Sequence, residues 1–279
     1  MQVDENHIKC DRCGLIKYRR PSRIKRSKYH FCKPDHKYKW QMGKSNNRAK
    51  FEVKKMSPSL ANIIGVFTGD GDTYNGRGFG LNVTNEDFAD ETKKNLDFLL
   101  PPNMKTHKYI FPNQKTSGGN QLYRIVVYGM NFMDYLIKVT NNKHKVPDEI
   151  MNGSKEIKKA FLQGLMDSEG CISKRKIKRR KACSFQLTFG ISSLLCYDIQ
   201  KLFSELGIKT GKMTITKFKN GKYKIAYRFS INLFDYYKSG MGFSIGWKQE
   251  RLNSYKSIFE KHRRKLLKNP NYTNHHHKV

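Results

Sequence analysis

The stretch Ile-Ile-Gly-Val-Phe-Thr-Gly-Asp-Gly at residues 63–71 has a counterpart, Leu-Gln-Gly-Leu-Met-Asp-Ser-Glu-Gly, at residues 162–170. Each copy is an apolar run that carries small residues four positions apart and ends in a carboxylate followed by glycine. A glycine inside a helix costs about 1 kcal/mol relative to alanine. Small residues at this spacing, however, let a second helix approach closely. The pattern therefore predicts two helices that pack against each other.

The carboxylates near the ends of the two copies, Asp70 and Glu169, indicate a divalent cation. Each precedes a glycine suited to a left-handed turn that ends a helix. The helix dipole repels negative charge there by about 0.3–1 kcal/mol. Two such acids would also repel each other, so a cation between them is the simplest explanation. A buried helix followed by an Asp-Gly turn explains one copy alone, but two copies with the same ending make that reading much weaker.

Echoes at nearly equal offsets indicate an internal duplication of the chain. Gly71 and Gly170 are 170 − 71 = 99 residues apart, and the related segments that begin at Asn131 and Asn232 are 232 − 131 = 101 residues apart. Each unit has the pattern of a helix, two strands, a helix, two strands and a helix. The predicted fold class is therefore α+β, with two pseudo-symmetric αββαββα repeats. The predicted divisions are 1–56, 57–150, 151–267 and a tail at 268–279.

Periodicity and turn residues also place the individual elements. In the first repeat a helix begins at Ser57-Pro58, and in the second a hairpin turn is expected at Asn220-Gly221. The predicted strands are 78–83, 109–114, 122–128, 172–178, 184–191, 212–218 and 223–231, and further helices are 86–100, 194–206 and 248–267.

Charge indicates the kind of partner. The chain has 279 residues and 55 Lys+Arg against 23 Asp+Glu, which gives a formal net charge of +32. Such a surplus predicts a polyanionic partner. With no run of 18 apolar residues and no signal peptide, nucleic acid is expected rather than a membrane. Cationic ribosomal proteins share this charge, so charge alone does not indicate catalysis. Six cysteines without a secretory signal favour an intracellular location, in the cytoplasm, nucleoid or an organelle.

Two close pairs of soft ligands predict a zinc site in residues 1–56. Cys10 and Cys13 form one pair, and Cys32 and His36 form the other. His30 is an alternative fourth ligand. A segment this small has little apolar surface, so a metal would supply the missing stability. The alternative is two incidental pairs in a basic tail. The pattern resembles the treble-clef-like zinc modules appended to mobile nucleases, with a histidine where the fourth cysteine is usual.

From residue 57 to about 265, the sequence resembles the LAGLIDADG homing endonucleases in their single-chain, two-repeat form. The second copy, preceded by Lys159-Ala160-Phe161, is close to the family pattern. The first departs from it at Asn62 and Thr68 but keeps both glycines and the final Asp-Gly.

The resemblance implies that the two helices meet at a pseudo-twofold axis. Asp70 and Glu169 would hold Mg²⁺ with their side chains, and Gly69 and Ser168 with their backbone carbonyls. One acid per repeat then implies one cut per strand. The family also places a lysine of each repeat near the metal. Lys248 is the candidate in the second repeat and Lys145 in the first, with Lys143 as the alternative.

The resemblance further implies that the two sheets form a saddle along the major groove of DNA. Which strand residues face the DNA depends on a register that the sequence leaves open. The candidate base-reading residues are Arg77, Asn82, Gln114, Arg124, Gln186, Thr188, Lys212, Lys224 and Arg228. The basic run that includes Lys174, Arg175, Arg179 and Arg180 is expected to grip phosphates.

The leading hypothesis is a monomeric, site-specific endonuclease that cuts double-stranded DNA at a long target site and promotes the mobility of an intron. A second hypothesis is a maturase that binds its host intron RNA. A third is a non-catalytic DNA-binding regulator on the same fold. The presence of both acids favours the first hypothesis and leaves the second open.

Overall fold

The structure is a computed structural model that describes residues 7–11, 13–26, 29–33, 36–37, 51–52, 55–74, 78–111, 121–177, 182–217 and 225–268. The chain divides into two compact units, Met1–Ala49 and Lys50–Val279.

The smaller unit contains a short hairpin and a short helix. Strands β1 (His7–Lys9) and β2 (Ile16–Tyr18) pair antiparallel, and helix α1 spans Pro21–Arg26. The connection turns at Gly14, whose φ of +75° suits glycine. The Gly14 amide donates to the Cys10 carbonyl at 3.0 Å. The turn thus belongs to the segment that carries Cys10 and Cys13.

The larger unit contains the same series of elements twice. The first series is α2 (Pro58–Gly69), β3 (Gly71–Thr73), β4 (Gly78–Val83), α3 (Glu86–Leu99), β5 (Thr106–Phe111), β6 (Leu122–Tyr128) and α4 (Met130–Val139). A short helix, α5 (Asp148–Met151), leads into the second. That series is α6 (Lys155–Glu169), β7 (Gly170–Ile177), β8 (Ala182–Ile191), α7 (Leu195–Glu205), β9 (Thr214–Lys217), β10 (Ile225–Ile231) and α8 (Leu233–Lys238), followed by α9 (Gly246–Lys268).

The two four-stranded sheets have the same strand order. It is β3-β4-β6-β5 in the first repeat and β7-β8-β10-β9 in the second, and all neighbouring strands are antiparallel. Helices α3 and α4 pack on the first sheet, and α7, α8 and α9 pack on the second. The side chains between sheet and helices are apolar, as at Phe79, Leu81, Leu187 and Phe229. The predicted α+β class with two αββαββα repeats is confirmed.

Helices α2 and α6 pack against each other through their glycines. A Cβ atom at Gly65 would lie 2.1 Å from the Phe161 carbonyl oxygen, and one at Gly164 would lie 2.3 Å from that of Asn62. The Asn62 side chain also donates from Nδ2 to the Ala160 carbonyl at 3.3 Å. The predicted packing of the doubled stretch is therefore confirmed, and the close approach accounts for both glycines.

The glycines that end the two copies have a different role from the predicted one. Gly170 has a φ of −76°, and Gly71 is not among the described glycines with positive φ. The expectation of a left-handed turn was wrong. Each glycine instead begins a strand directly after its helix, in a space that has no room for a side chain. A Cβ at Gly71 would lie 2.5 Å from the Phe67 Cα, and one at Gly170 would lie 2.5 Å from the Met166 carbonyl oxygen.

Some predicted boundaries differ from the structure because the elements are short. Strand β3 has three residues, which are too few to show a periodicity, so the repeat pattern predicted a strand here but its position was not predicted. Strand β9 begins at Thr214, so Lys212 lies before it rather than within it. The predicted turn at residues 220–221 and the tail from 269 lie outside the described residues.

The substitution Gly164→Ala distinguishes packing from helix propensity. Propensity alone predicts a gain of about 1 kcal/mol. The backbone carbonyl 2.3 Å from the new Cβ cannot yield without moving α2, so we expect a net loss of about 1–3 kcal/mol in the free energy of unfolding. The neighbouring Gln163→Ala is the control and should stay within about 0.5 kcal/mol of the unmodified chain. Denaturant unfolding measures both, and a more stable Gly164→Ala protein would contradict the account.

Candidate active site and metal centre

The carboxyl ends of α2 and α6 bring Asp70 and Glu169 together. Asp70 ends α2, and its amide donates to the Val66 carbonyl at 3.0 Å. Glu169 is the last residue of α6. A Cβ at Gly69 would lie 2.4 Å from the Ser168 Cβ and 3.3 Å from the Glu169 Cγ. The helices therefore remain in contact up to the two acids.

Each acid is harder to ionise because of its surroundings. Loss of hydration, followed by the charge of Asp70, raises the pKa of Glu169 to about 7. Loss of hydration also raises the pKa of Asp70, and the charges of Lys248 and Lys143 oppose this change. Asp70 as a whole residue is exposed to solvent. Nearby protein atoms nevertheless reduce the hydration of its carboxyl group. A pair of acids in this state fits a divalent cation, which would offset their repulsion.

Lys143 reaches the end of α2 from a strained turn. Asn141, Asn142 and Lys143 have φ values of 46°, 53° and 70°, a left-handed run that side chains other than glycine seldom adopt. The Lys143 ammonium donates to the Gly69 carbonyl at 3.2 Å and to the Gly71 carbonyl. Burial lowers its pKa, while nearby acids, including Asp70, raise it. Lys143 therefore lies beside the acid pair.

Lys248 has the corresponding position at the end of α6. Its side chain is only 4% exposed, and its ammonium donates to the carbonyls of Met166 at 3.1 Å and Asp167 at 2.6 Å. Burial lowers its pKa, while the charges of Asp167 and Asp70 raise it. Each repeat thus contributes one acid and one lysine to the junction.

The structure does not bring Lys145 to this junction. Lys145 forms an ion pair with Asp148 at 2.7 Å, and 49% of its side chain is exposed. The left-handed turn presents Lys143 to the acids instead. The carbonyl of Gly69, predicted as a metal ligand, accepts from Lys143 and keeps a second lone pair. The Ser168 hydroxyl donates to the Gly164 carbonyl at 3.1 Å.

A buried acid that the sequence interpretation overlooked helps to position Lys248. Asp167 is 3% exposed and accepts from the Ser244 amide at 3.0 Å and from the Ser244 hydroxyl at 2.5 Å. Burial raises its pKa to about 6. These bonds anchor the loop before α9, the helix that carries Lys248. The first repeat has Thr68 at the corresponding position, so the two halves are not equivalent. The feature of the sequence that points to Asp167 is an acid inside an apolar helical run.

In the smaller unit, Cys10, Cys13, Cys32 and His36 converge. Their four ligand atoms all lie within 4.8 Å of one another. The Sγ atoms of Cys13 and Cys32 are 3.6 Å apart, and the His36 Nδ1 is 3.7 Å from the Cys10 Sγ and 3.1 Å from the Cys32 Sγ. A tetrahedral zinc ion keeps such ligands about 3.4–3.8 Å apart, so the cluster could hold a metal ion. The cluster contains His36 and not His30.

Strand register decides which predicted DNA-binding residues share a face. Asn82 is paired with Arg124 in the first sheet, and their side chains form a hydrogen bond of 2.5 Å on the face away from the helices. The corresponding face of the second sheet carries Gln186, Thr188 and Arg228. These five residues occupy the outer faces of the sheets, which are the faces without helices.

Among the remaining DNA-binding candidates, the structure describes the positions of Lys174, Lys212 and the backbone of Arg175. Lys174 is in register with the inward-facing Phe185, and its ammonium lies 5.7 Å from that ring. Lys212 is exposed in the segment before β9. The backbone of Arg175 pairs with Ser184. Five candidates lie outside the described residues, namely Arg77, Gln114, Arg179, Arg180 and Lys224.

Comparison with known proteins gives a family match within the second repeat. Residues 156–240 match the family described as LAGLIDADG-like domain. An uncharacterized protein of Methanocaldococcus jannaschii is 26% identical over 238 residues, which are 80% of this chain and 82% of that protein. The tRNA-splicing ligase RtcB of Pyrococcus furiosus is 28% identical over 193 residues, which are 62% of this chain but only 19% of the ligase.

Two solved structures that this chain matches are a homing endonuclease bound to DNA and a full-length WhiA protein. The homing endonuclease I-DmoI in complex with DNA and Mn is 18% identical, with a TM-score of 0.43, over 66% of this chain and 94% of that one. Full-length DUF199/WhiA from Thermatoga maritima is 13% identical, with a TM-score of 0.47, over 76% of this chain and 62% of that one. Within the described part of the chain, no helix has the length and apolar character needed to span a membrane.

Metal content of the purified full chain tests the Cys/His cluster. Elemental analysis should find about one transition-metal ion per chain, because four soft ligands converge. The substitution Cys13→Ser should reduce this content strongly. The matched control is Cys171→Ser, an exposed cysteine outside the cluster, which should leave it unchanged. A content near zero in the unmodified chain, or equal loss in both variants, would refute the site.

Proposed function

We propose that this protein is a site-specific endonuclease that hydrolyses both strands of double-stranded DNA and uses Mg²⁺ held by Asp70 and Glu169. One observation carries the proposal: two acids from different repeats lie side by side at the helix junction, and each repeat adds a lysine, half-buried Lys143 and buried Lys248. A structural role alone would not explain two acids placed so that the charge of Asp70 makes Glu169 harder to ionise.

The donor set fits magnesium. Carboxylates and backbone carbonyls are the oxygen ligands that this ion prefers, and it needs only one or two carboxylates while other positions stay open to water and phosphate. Asp70 and Glu169 would supply the carboxylates, with the carbonyls of Gly69 and Ser168 nearby. When bound, Mg²⁺ supplies Lewis acidity and activates water for attack on phosphorus.

The residues of the chain have distinct tasks in this proposal. Asp70 and Glu169 would hold the metal, and one acid would serve each scissile phosphate. Lys143 and Lys248 keep positive charge next to the place where the phosphate becomes more negative. The carbonyls at the ends of α2 and α6 hold the two ammonium groups in position. The arrangement supplies one acid and one lysine per strand.

Charge and sheet geometry support duplex DNA as the substrate. The net charge of +32 favours a polyanion, and the outer faces of two similar sheets carry Asn82, Arg124, Gln186, Thr188 and Arg228. The major groove of DNA admits a pair of β-strands, and the base edges exposed there distinguish all four base pairs. We further propose that the cluster of the smaller unit binds structural Zn²⁺, since its cysteine and histidine ligands are typical of closed zinc sites.

Cleavage of DNA by acid variants tests the proposal. Duplexes are selected for cleavage from a random library with Mg²⁺, and each recovered duplex is then used as substrate. The variants Asp70→Asn and Glu169→Gln should each lose at least about a hundredfold in cleavage rate, because each removes a carboxylate of the composite site. The control Asp97→Asn changes an acid on the outside of α3, paired with Lys93, and should cut normally.

Several results would count against this function. If Mg²⁺ gives no cleavage of any library member, or if either site variant retains full activity, the proposed chemistry is wrong. Tight duplex binding without cleavage would instead favour a DNA-binding regulator. Preferential binding of the host intron RNA would favour the maturase.

Two lysines separated by one residue provide a second, internally matched test. The variant Lys143→Met removes the ammonium beside the acids and should slow cleavage by about tenfold or more, since the transition state loses a nearby positive charge. The variant Lys145→Met removes an equal charge from an exposed ion pair and should cut at the normal rate. Equal rates for the two variants, measured on one duplex at saturating Mg²⁺, would contradict the assignment of Lys143.

A further inference from the structure

The outer faces of the two sheets carry different chemistry, although their strand order is the same. Ring and aliphatic side chains dominate the face of the first sheet, namely Tyr74 (just after β3), His107, Tyr109, Phe111, Leu122 and Tyr128. Hydroxyl and amide side chains dominate the second, namely Ser173, Gln186, Thr188, Thr214, Thr216 and Ser230. We call these the aromatic face and the hydroxyl face.

The aromatic face is a continuous surface of ring contacts. His107 stacks on Tyr109, with centroids 6.1 Å apart and planes inclined by 17°. Tyr128 meets His107 edge-on at 5.5 Å, and Tyr74 meets Tyr128 at 5.9 Å. Tyr109 and Tyr128 remain 38% and 44% exposed. Rings from several neighbouring segments therefore present apolar surface to the solvent.

Two polar side chains of the aromatic face, Asn82 and Arg124, are engaged with each other. The Arg124 Nε donates to the Asn82 Oδ1 at 2.5 Å. The guanidinium of Arg124 also lies 4.8 Å from the Phe111 ring and 5.6 Å from the Tyr74 ring. These contacts occupy a donor and an acceptor that would otherwise read base edges. The first sheet therefore has less hydrogen-bonding capacity than its sequence suggests.

The hydroxyl face retains more such capacity. Among the described residues, the contacts of the Ser173 and Thr188 hydroxyls are long, at 3.5 Å from the carbonyls of Gln186 and Cys171 respectively. Gln186 and Arg228 are exposed on the same face. Amide and guanidinium groups form paired hydrogen bonds with adenine and guanine in the major groove. This sheet has the groups needed to read bases by hydrogen bonding.

In the major groove, thymine differs from the other bases by its 5-methyl group, which is recognised by apolar contact. We infer that the two repeats read their half-sites by different chemistry: the aromatic face selects thymine methyl groups, and the hydroxyl face selects base edges through hydrogen bonds. The inference rests on the proposed function, because it requires duplex DNA on both outer faces. The target is then an asymmetric duplex whose thymines matter more on one side.

Uracil substitution tests this directly, because uracil lacks only the methyl group of thymine. The probe is a duplex recovered from the cleavage selection, with uracil in place of thymine in the left half, the right half or neither. Binding to the unmodified full chain is measured with Ca²⁺ in place of Mg²⁺. We expect about a threefold to fourfold weaker binding for each contacted thymine in one half, and almost no change in the other.

Two sets of variants assign the sensitive half to its sheet. The double variant Tyr109→Ser, Tyr128→Ser should bind the thymine and uracil duplexes equally, because both exposed rings are gone. The matched variant Gln186→Ala, on the hydroxyl face, should bind more weakly overall but keep the full uracil effect. Circular dichroism checks that each variant is folded. The comparison of thymine and uracil duplexes with the unmodified chain does not depend on the variants.

The outcomes separate this inference from the function on which it rests. If no duplex binds, the proposed function fails, and the inference fails with it. If duplexes bind but uracil has the same effect in both halves, or if the folded tyrosine variant keeps the uracil effect, the inference alone is wrong. Tighter binding of either single strand than of the duplex would also overturn it, since the aromatic face would then stack on unpaired bases.

Discussion

The contact between α2 and α6 at Gly65 and Gly164 is the constraint on which the rest of the structure depends. A Cβ atom at either position would lie within about 2.3 Å of a backbone oxygen of the other helix. Glycine reduces helix propensity, yet only glycine permits this approach. The close contact continues to Gly69 and Ser168, and it fixes the separation of the acids that follow.

This contact creates an electrostatic problem that the lysines offset. The carboxyl ends of two helices, each with negative partial charge, converge together with Asp70 and Glu169. Lys143 and Lys248 donate to the terminal carbonyls and lower the pKa values of both acids, although burial raises these values more. The junction therefore holds two carboxyl groups that are costly to ionise, and a divalent cation would offset that cost. In the proposed function the same four groups would take part in catalysis.

The sequence predicted the features that depend on local pattern. It did not predict the features that depend on contacts between residues far apart in the chain. The doubled stretch gave the two helices and their packing, and the Cys/His spacing gave the four residues that converge. It could not choose between Lys143 and Lys145, because a left-handed turn at residues 141–143 determines which lysine reaches the junction. The glycine after each acid suggested a turn, whereas crowding by Phe67 and Met166 explains it. Strand register, and hence the contrast between the sheet faces, required the paired strands themselves.

The central claim is that Asp70 and Glu169 form one composite metal site. Crystals of the full chain soaked in Mn²⁺, an ion with strong anomalous scattering and magnesium-like coordination, test it most directly. The account predicts an anomalous peak within coordination distance, about 2.2 Å, of carboxylate oxygens from both acids. A map without a peak at the helix junction, or with peaks only at sites remote from both acids, would contradict it.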